Sequence, residues 1–160
     1  MKTYFTLNGE EVEVDAAPEE LLVDLLRLRL NMRGARPGCL RGQCGACSVL
    51  MNGELTASCL VPIFRVYGAE ILTIEGLMEL PDYQDIEKGF IRANARPCRF
   101  CAAGKILSVH ALLQSKEELT EQLLEDTIAS VWCRCTTHQR LMRGIRFAAD
   151  FRQRRIQRGG

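Results

Sequence analysis

The chain has 160 residues, of which 47% are hydrophobic, and its formal net charge at pH 7 is +1. This hydrophobic fraction is ordinary for a globular protein, and the balanced charge offers no overall electrostatic case for binding nucleic acid or a membrane surface. No apolar run approaches the length of a membrane span, and the amino-terminal residues do not have the form of a signal peptide. We therefore expect a protein of the reducing cytoplasm.

The first residues predict a β-hairpin followed by a helix. Polar and apolar residues alternate over Thr3–Leu7 and again over Glu10–Val14, and the intervening Asn8-Gly9 is a typical type I′ turn pair. After Pro18, leucines recur at helical spacing. Two glutamates come directly after the proline, where the dipole of a starting helix favours acidic residues.

Further strands complete the first half. Ser48–Met51 and Glu70–Ile74 have strand character, and Asn52-Gly53 supplies a second hairpin turn towards a short return strand. Two strands, a helix and then more strands, with a cysteine-rich loop after the helix, predict a small α+β unit of the β-grasp kind. We assign residues 1–78 to this unit.

The second half predicts a helical domain. Runs of β-branched residues disappear after about Leu77, and Thr120 is a good N-cap. Glu79–Asp82, which contains Pro81, is the expected linker, so the helical domain is assigned to residues 79–160. The four predicted helices are Ile86–Ala93, Gly104–Leu113, Glu121–Val131 and Leu141–Phe151.

The eight cysteines fall into two groups of four. The first group consists of Cys39, Cys44, Cys47 and Cys59. Its C-x4-C-x2-C pattern, followed by a fourth cysteine, is the plant-type ferredoxin spacing for a 2Fe-2S cluster. Glycines beside the loop cysteines let the backbone wrap closely around such a cluster. A zinc knuckle is the alternative, which the four-residue gap and the flanking glycines disfavour.

The second group consists of Cys98, Cys101, Cys133 and Cys135, spaced as C-x2-C and, much later, C-x-C. Four thiols gathered from two loops again predict a metal centre, with structural zinc as the alternative. In a reducing compartment such sets are more often metal-binding than disulfide-forming. Four disulfides in a secreted chain are the rival interpretation, which the close spacing within each pair disfavours.

Several stretches together resemble one known family. Gly-Cys-x4-Cys-Gly-Ala-Cys-x-Val-Leu-x-Asn-Gly covers residues 38–53, Ser58-Cys59-Leu60 follows, and Thr-Ile-Glu-Gly-Leu ends the first half at residues 73–77. Residues 97–104 and 133–138 supply the matching stretches of the second half. From the hairpin to about Arg146, the chain resembles the iron-sulfur subunit of the molybdenum hydroxylases, which include xanthine dehydrogenase, aldehyde oxidoreductase and carbon monoxide dehydrogenase.

The resemblance implies an α+β fold class, with an N-terminal β-grasp 2Fe-2S ferredoxin domain followed by a C-terminal four-helix 2Fe-2S-binding domain. It also implies that each group of four cysteines ligates one cluster. The chain would be the electron-transfer subunit of an oxidoreductase, not catalytic alone. Electrons would come from a molybdenum-pterin centre on a large partner chain, and they would leave to FAD on a third chain or to a different acceptor. The substrate pocket would lie on another chain, which leaves purines, aldehydes, nicotinate and carbon monoxide open.

The second cysteine group departs from the family pattern around its thiols. Four replacements stand out: Pro97 for a glutamine, Arg99 for a glycine, Ala102-Ala103 for Thr-Pro, and His138 for a tyrosine. In the family, the glutamine and the last cysteine lie against the pterin, so here the contact would depend on Cys135. Trp132 is expected to shield the second centre from water.

Arg99 allows several interpretations. With Arg96 it could contact a phosphate of a dinucleotide cofactor, or it could raise the reduction potential of the cluster. The partner could also hold its cofactor alone, or Arg99 could simply face solvent. Two wider alternatives are a free-standing two-cluster ferredoxin for a non-molybdenum enzyme, and a structural or regulatory module whose helical half binds zinc.

Overall fold

A mixed five-stranded sheet organises the first half of the chain. The computed structural model describes residues 1–159. Within them the strands are β1 (Lys2–Leu7), β2 (Glu10–Asp15), β3 (Ser48–Met51), β4 (Glu54–Ala57) and β5 (Glu70–Leu72). The order across the sheet is β2-β1-β5-β3-β4, with β1 and β5 parallel and the other neighbours antiparallel. The predicted β-grasp architecture is confirmed.

Both predicted hairpin turns are present. Asn8 and Gly9, with φ of 52° and 86°, join β1 to β2. Asn52 and Gly53, with φ of 52° and 82°, join β3 to β4. A type I′ turn needs positive φ at both central residues, and asparagine and glycine adopt it at the least cost.

The leucine-rich helix is shorter and less regular than its spacing predicts. α1 (Leu22–Asp24) continues into a π-helical turn, Leu25–Arg29, and the two glutamates expected in its first turn precede it. The N–H of Leu30 donates to the carbonyl of Leu25 at 3.1 Å, which is the wider five-residue hydrogen bond of a π turn. Three leucines of this segment are fully buried, so the amphipathic pattern does report the face that packs on the sheet.

The last strand is shorter than the predicted Glu70–Ile74. β5 ends at Leu72 because Thr73 turns out of the sheet, and its N–H donates to Oδ1 of Asn8 at 2.8 Å. Nδ2 of Asn8 donates in return to Oγ1 of Thr73 at 3.1 Å. The next residues form a short helix, α2 (Ile74–Met78).

The second half contains the predicted set of four longer helices. These are α3 (Pro81–Arg92), α4 (Ala102–Gln114), α5 (Glu121–Ala129) and α6 (His138–Arg158). The segment expected as a linker, Glu79–Asp82, instead runs into α3, because Pro81 suits the first position of a helix. Thr120 caps α5 as predicted, and its Oγ1 accepts from the N–H of Leu123 at 3.2 Å. None of the helices within residues 1–159 is both long enough and apolar enough to cross a membrane.

The sheet has a buried core on each face. Val49 of β3 belongs to the same buried cluster as the leucines of α1. Its neighbour Leu50 belongs to a second cluster, with Ile86 of α3 and Leu107 of α4. Successive residues of a strand point to opposite faces, so β3 lies between α1 and the helical half. The two halves therefore pack against each other through the sheet.

A partly buried charge network fixes the far end of α6, remote from the cysteines. Arg155 pairs with Asp82, and its Nε donates to Oδ2 of Asp85 at 2.7 Å. Arg152 donates to Asp82 at 3.2 Å, and Nδ1 of His110 lies 3.3 Å from the same carboxylate without the alignment of a hydrogen bond. Burial lowers the pKa of His110. The network ties α6 to α3 and α4.

Candidate metal centres

The first cysteine group is assembled by one loop and one strand pair. Cys39 and Cys44 lie in the loop before β3, and Cys47 directly precedes that strand. Cys59 lies in a 3₁₀ turn, Ser58–Leu60, directly after β4. Because β3 and β4 pair with Ser48 opposite Ala57, the two inner cysteines come together at the same end of the hairpin. They are almost fully buried, whereas the two loop cysteines are half-buried.

Backbone N–H groups point at the sulfur of Cys39. The N–H groups of Arg41 and Gln43 donate to it at 3.3 Å, and that of Cys44 donates at 3.4 Å. The N–H of Cys39 donates in turn to the sulfur of Cys44 at 3.4 Å. Such a concave set of amides stabilises negative charge on sulfur, as a bound iron-sulfur cluster requires. The loop therefore fits a cluster, in agreement with its sequence pattern.

The pKa values of two thiols in this group are shifted in opposite directions. The N–H groups of Arg41 and Cys44 lower the pKa of Cys39 to about 6. Burial, together with the neighbouring thiol of Cys47, raises the pKa of Cys59 to about 11. A thiol buried in this way stays protonated at neutral pH unless a metal ion replaces its proton.

The second cysteine group brings all four sulfurs into one cluster. The sulfur of Cys101 lies 3.4 Å from that of Cys98, 3.3 Å from that of Cys133 and 4.0 Å from that of Cys135. Cys98, Cys101 and Cys135 lie within 4.8 Å of one another, a spacing suited to a shared metal centre. Two loops, one before α4 and one before α6, deliver these thiols. The predicted convergence of the second group is therefore observed in the described residues.

The second group mixes buried and exposed thiols. Cys101 is buried at the start of α4, and its burial raises its pKa, helped by the thiol of Cys133. Cys98 and Cys135 are exposed. A hydrogen bond with Cys135 and the backbone N–H of Cys101 lower the pKa of Cys98 to about 7. This centre thus opens towards the surface on one side.

Close backbone contact joins the two groups. The N–H of Trp132 donates to the carbonyl of Cys44 at 2.9 Å. A Cβ on Gly45, whose φ is +72°, would lie 2.8 Å from Cγ2 of Val131, and a Cβ on Gly104 would collide with the carbonyl of Gly45. Only glycine permits the loop of the first group to approach the helix of the second so closely.

An open cleft of about 790 Å³ lies over the second group and reaches Cys44 of the first. Phe100 and Trp132 line it, and they are 50% and 70% exposed. Trp132 lies at the edge of the second centre, as expected of a residue that shields it, but most of the indole faces solvent, so the shielding stays a prediction. His138 also lines the cleft as the first residue of α6, where the capping oxygen belongs to Thr137.

The cationic residues near the second group differ in burial. Arg99 is exposed, and so is Arg96, which pairs with Glu87 at 3.4 Å. Lys105, a residue that the sequence pattern did not single out, is only 2% exposed, and its Nζ donates to the carbonyl of Ile128. A signal for it existed, since it is a lysine within the otherwise apolar start of α4, four residues after a cysteine.

Comparison with protein families agrees with the two centres. The model of a 2Fe-2S iron-sulfur cluster binding domain matches residues 5–63, and that of a 2Fe-2S binding domain matches residues 73–146. The protein is thus an iron-sulfur protein with two successive 2Fe-2S-binding domains.

Relatives that match over nearly their whole length show which kind of two-domain 2Fe-2S protein this is. The chain is 31% identical over 144 residues to the small FeS subunit of nicotinate dehydrogenase from Eubacterium barkeri, a match that covers 90% of this chain and 92% of the relative. It is 34% identical to the alpha subunit of isoquinoline 1-oxidoreductase from Brevundimonas diminuta, over 91% of this chain and 95% of the relative. The chain belongs to the family of small two-cluster 2Fe-2S subunits of the molybdenum hydroxylases, and it is an electron-transfer component of an oxidoreductase complex.

Solved structures share the fold. Quinoline 2-oxidoreductase from Pseudomonas putida superposes with a TM-score of 0.86 at 28% identity, over 96% of both chains. Aldehyde oxidoreductase from Desulfovibrio gigas superposes with a TM-score of 0.85 at 32% identity, over 97% of this chain but 17% of the other. In the latter, the equivalent unit is one part of a much longer polypeptide.

Proposed function

We propose that the two cysteine groups are the ligand sets of two 2Fe-2S clusters, and that this chain carries electrons away from a molybdenum-containing partner. The first set is Cys39, Cys44, Cys47 and Cys59, and the second is Cys98, Cys101, Cys133 and Cys135. We assign the first set to a ferredoxin domain of residues 1–78 and the second to a helical domain of residues 79–160. The observation that carries the proposal is the convergence of four thiols in the second matched domain, beside the N–H groups that point at the sulfur of Cys39 in the first.

The surroundings of the thiols support iron-sulfur chemistry in preference to structural zinc. When bound, each 2Fe-2S cluster supplies a centre that takes up and releases one electron. The peptide N–H groups around Cys39 stabilise negative charge on its sulfur, and Lys105 places a positive charge beside the second group. The tight approach of Gly45 to Gly104 keeps the two groups close together, as an electron-transfer chain needs.

The exposed side of the second group supports a docking role towards a large subunit that carries a molybdenum-pterin cofactor. Cys98 and Cys135 are exposed there, next to the uncovered rings of Phe100 and Trp132. We place Cys135 and Arg99 towards the cofactor of that large partner. An FAD-binding subunit or another acceptor receives the electrons.

A cytoplasmic location is part of the proposal. All eight cysteines are free thiols in the structure. Thiols grouped for metal binding persist in a reducing compartment, whereas an oxidising one favours disulfides.

The test is the metal content of the anaerobically purified chain, combined with EPR of the dithionite-reduced sample. We expect about four irons and about four acid-labile sulfides per chain, with two distinct 2Fe-2S signals. About two irons, one signal and one zinc would contradict the second ligand set.

Recovery of the complex from the native host tests the partner separately. We expect the chain to copurify with a larger molybdenum-containing subunit. A chain that is recovered alone, with both clusters and no molybdenum, would support the free-standing ferredoxin instead.

A further inference from the structure

A buried ammonium group lies beside the second cysteine group. Lys105 is on the first turn of α4, and its backbone N–H donates to the carbonyl of Cys101 at 3.0 Å. Its side chain is 2% exposed and lines the same cleft as Cys101 and Cys133. A lysine at this depth is uncommon, because moving a charge out of water is costly unless opposite charge or hydrogen bonds compensate it.

The described residues provide two kinds of compensation. The ammonium donates to the carbonyl of Ile128, in the last turn of α5, where backbone carbonyls lack helical partners. Burial lowers the pKa of Lys105, whereas the negative charges of Cys133 and Cys101 act in the opposite direction. An ammonium has three N–H donors, so one carbonyl does not account for its burial. The sulfurs of Cys101 and Cys133, which line the same cleft, would supply further compensation as thiolate ligands of a cluster.

We propose that Lys105 is an internal counter-charge of the second centre and that it favours the reduced form of that centre. The inference rests on the proposed assignment of Cys98, Cys101, Cys133 and Cys135 as ligands. Reduction adds one electron, and therefore one negative charge, without making or breaking a bond in the protein. A fixed positive charge in a low-dielectric setting stabilises the more negative state more strongly than the less negative one.

A purely structural role is the competing explanation. Lys105 could serve only as a cap for the carboxyl end of α5, through its hydrogen bond to Ile128. A cap contributes to the stability of the fold but leaves the reduction potential of the second centre unchanged. The potential therefore separates the two roles.

The experiment is an EPR-monitored redox titration of the anaerobically purified chain and of its Lys105→Met variant. Methionine keeps an unbranched side chain and removes the charge. We expect the equilibrium constant for reduction of the second centre to fall about tenfold, which is about 59 mV for a one-electron couple. The first centre keeps its midpoint potential, and the iron content stays that of the unmodified chain.

Lys88→Met is the matched control, because Lys88 is exposed on α3 and undergoes the same chemical change. It should leave both midpoints unchanged. Lys105→Met with a lower melting temperature and an unchanged second midpoint would overturn the inference and leave only the cap.

If Lys105→Met does not incorporate the second cluster, Lys105→Arg shows whether the missing positive charge is the cause. A second signal that returns with arginine supports the requirement for positive charge, and its loss in both variants overturns it. Zinc in place of iron in the unmodified chain would instead show that the ligand assignment is wrong. Metal analysis would detect this before any variant is made.

Discussion

The two cysteine groups differ in the groups that stabilise negative charge on their sulfurs. In the first, the sulfur of Cys39 accepts three backbone N–H groups from one tight loop. In the second, backbone N–H groups also contribute, since that of Cys135 donates to the sulfur of Cys133 at 3.4 Å, and a buried side chain, Lys105, adds positive charge. Backbone donors remain when side chains change, whereas a single substitution removes a lysine. The second centre therefore has a nearby positive charge that one substitution can remove.

The two groups also differ in their access to solvent. Cys47 and Cys59 are sealed between the sheet and Val23 of α1, with 1% and 2% of their surfaces exposed. Cys98 and Cys135 are exposed on the opposite half. A partner that covers the second group would exclude water from a site that is exposed to solvent in the chain alone. The inner side of the first group already excludes water.

The largest expected effect comes from removing one thiol from each group. Cys44→Ser should abolish the first 2Fe-2S signal and leave the second, and Cys101→Ser should do the reverse, because each group is complete without the other. Each variant should keep about two irons per chain. EPR and iron analysis of the two variants check this. Loss of both signals in either variant would show that the two groups form as one unit, and the comparison would fail.

A smaller effect is expected where the two groups touch. Gly45→Ala places a methyl group 2.8 Å from Cγ2 of Val131, whereas Gly53→Ala meets nothing within 4 Å. Both glycines have positive φ, +72° and +82°, so the backbone strain of alanine, about 1–2 kcal/mol, is common to the pair. Overpacking should cost Gly45→Ala about 1–3 kcal/mol more.

The measurement is the melting temperature of each cluster-loaded variant. For a protein of this size about 1 kcal/mol corresponds to about 2–4 °C, so the difference between the variants should be readily resolved. An equal loss of melting temperature in the two variants would mean that the contact between the halves adjusts to the added methyl group at little cost, and that it does not hold the two groups in place.

Local patterns predicted much of this architecture. The Asn-Gly turns and the cap at Thr120 depend on residues within a few positions of each other, and both are present. The second cysteine set joins two short spacings that lie far apart in the sequence, and the family pattern indicated that they belong together. The end of β5 could not be predicted, because it depends on a hydrogen bond between Thr73 and the distant Asn8. The large exposure of Trp132 could not be predicted either, because it is set by how the loop folds over the second group, which no local pattern reports.

The burial of single charges was only partly visible in the sequence. Arg99 attracted attention because it replaces a glycine in a known motif, yet it is exposed. Lys105 lies six positions later and is the buried cation. The spacing places Lys105 at the start of a helix, but it does not show that the side chain is buried, because burial depends on the packing of α5 over α4.

The smallest expected effect is that of Arg99→Gly on the isolated chain. Arg99 is exposed, so water and ions screen its charge, and the midpoint potential of the second centre should shift less than in Lys105→Met. In the assembled complex, turnover should fall, because a partner that covers Arg99 removes this screening and brings it towards the cofactor. Arg158→Gly, an equally exposed change at the far end of α6, is the control and should alter neither quantity. Turnover that is unchanged by Arg99→Gly would remove Arg99 from the proposed cofactor contacts. If Arg99→Gly and Lys105→Met shifted the midpoint potential of the second centre equally, burial of the charge would make no difference beside this centre.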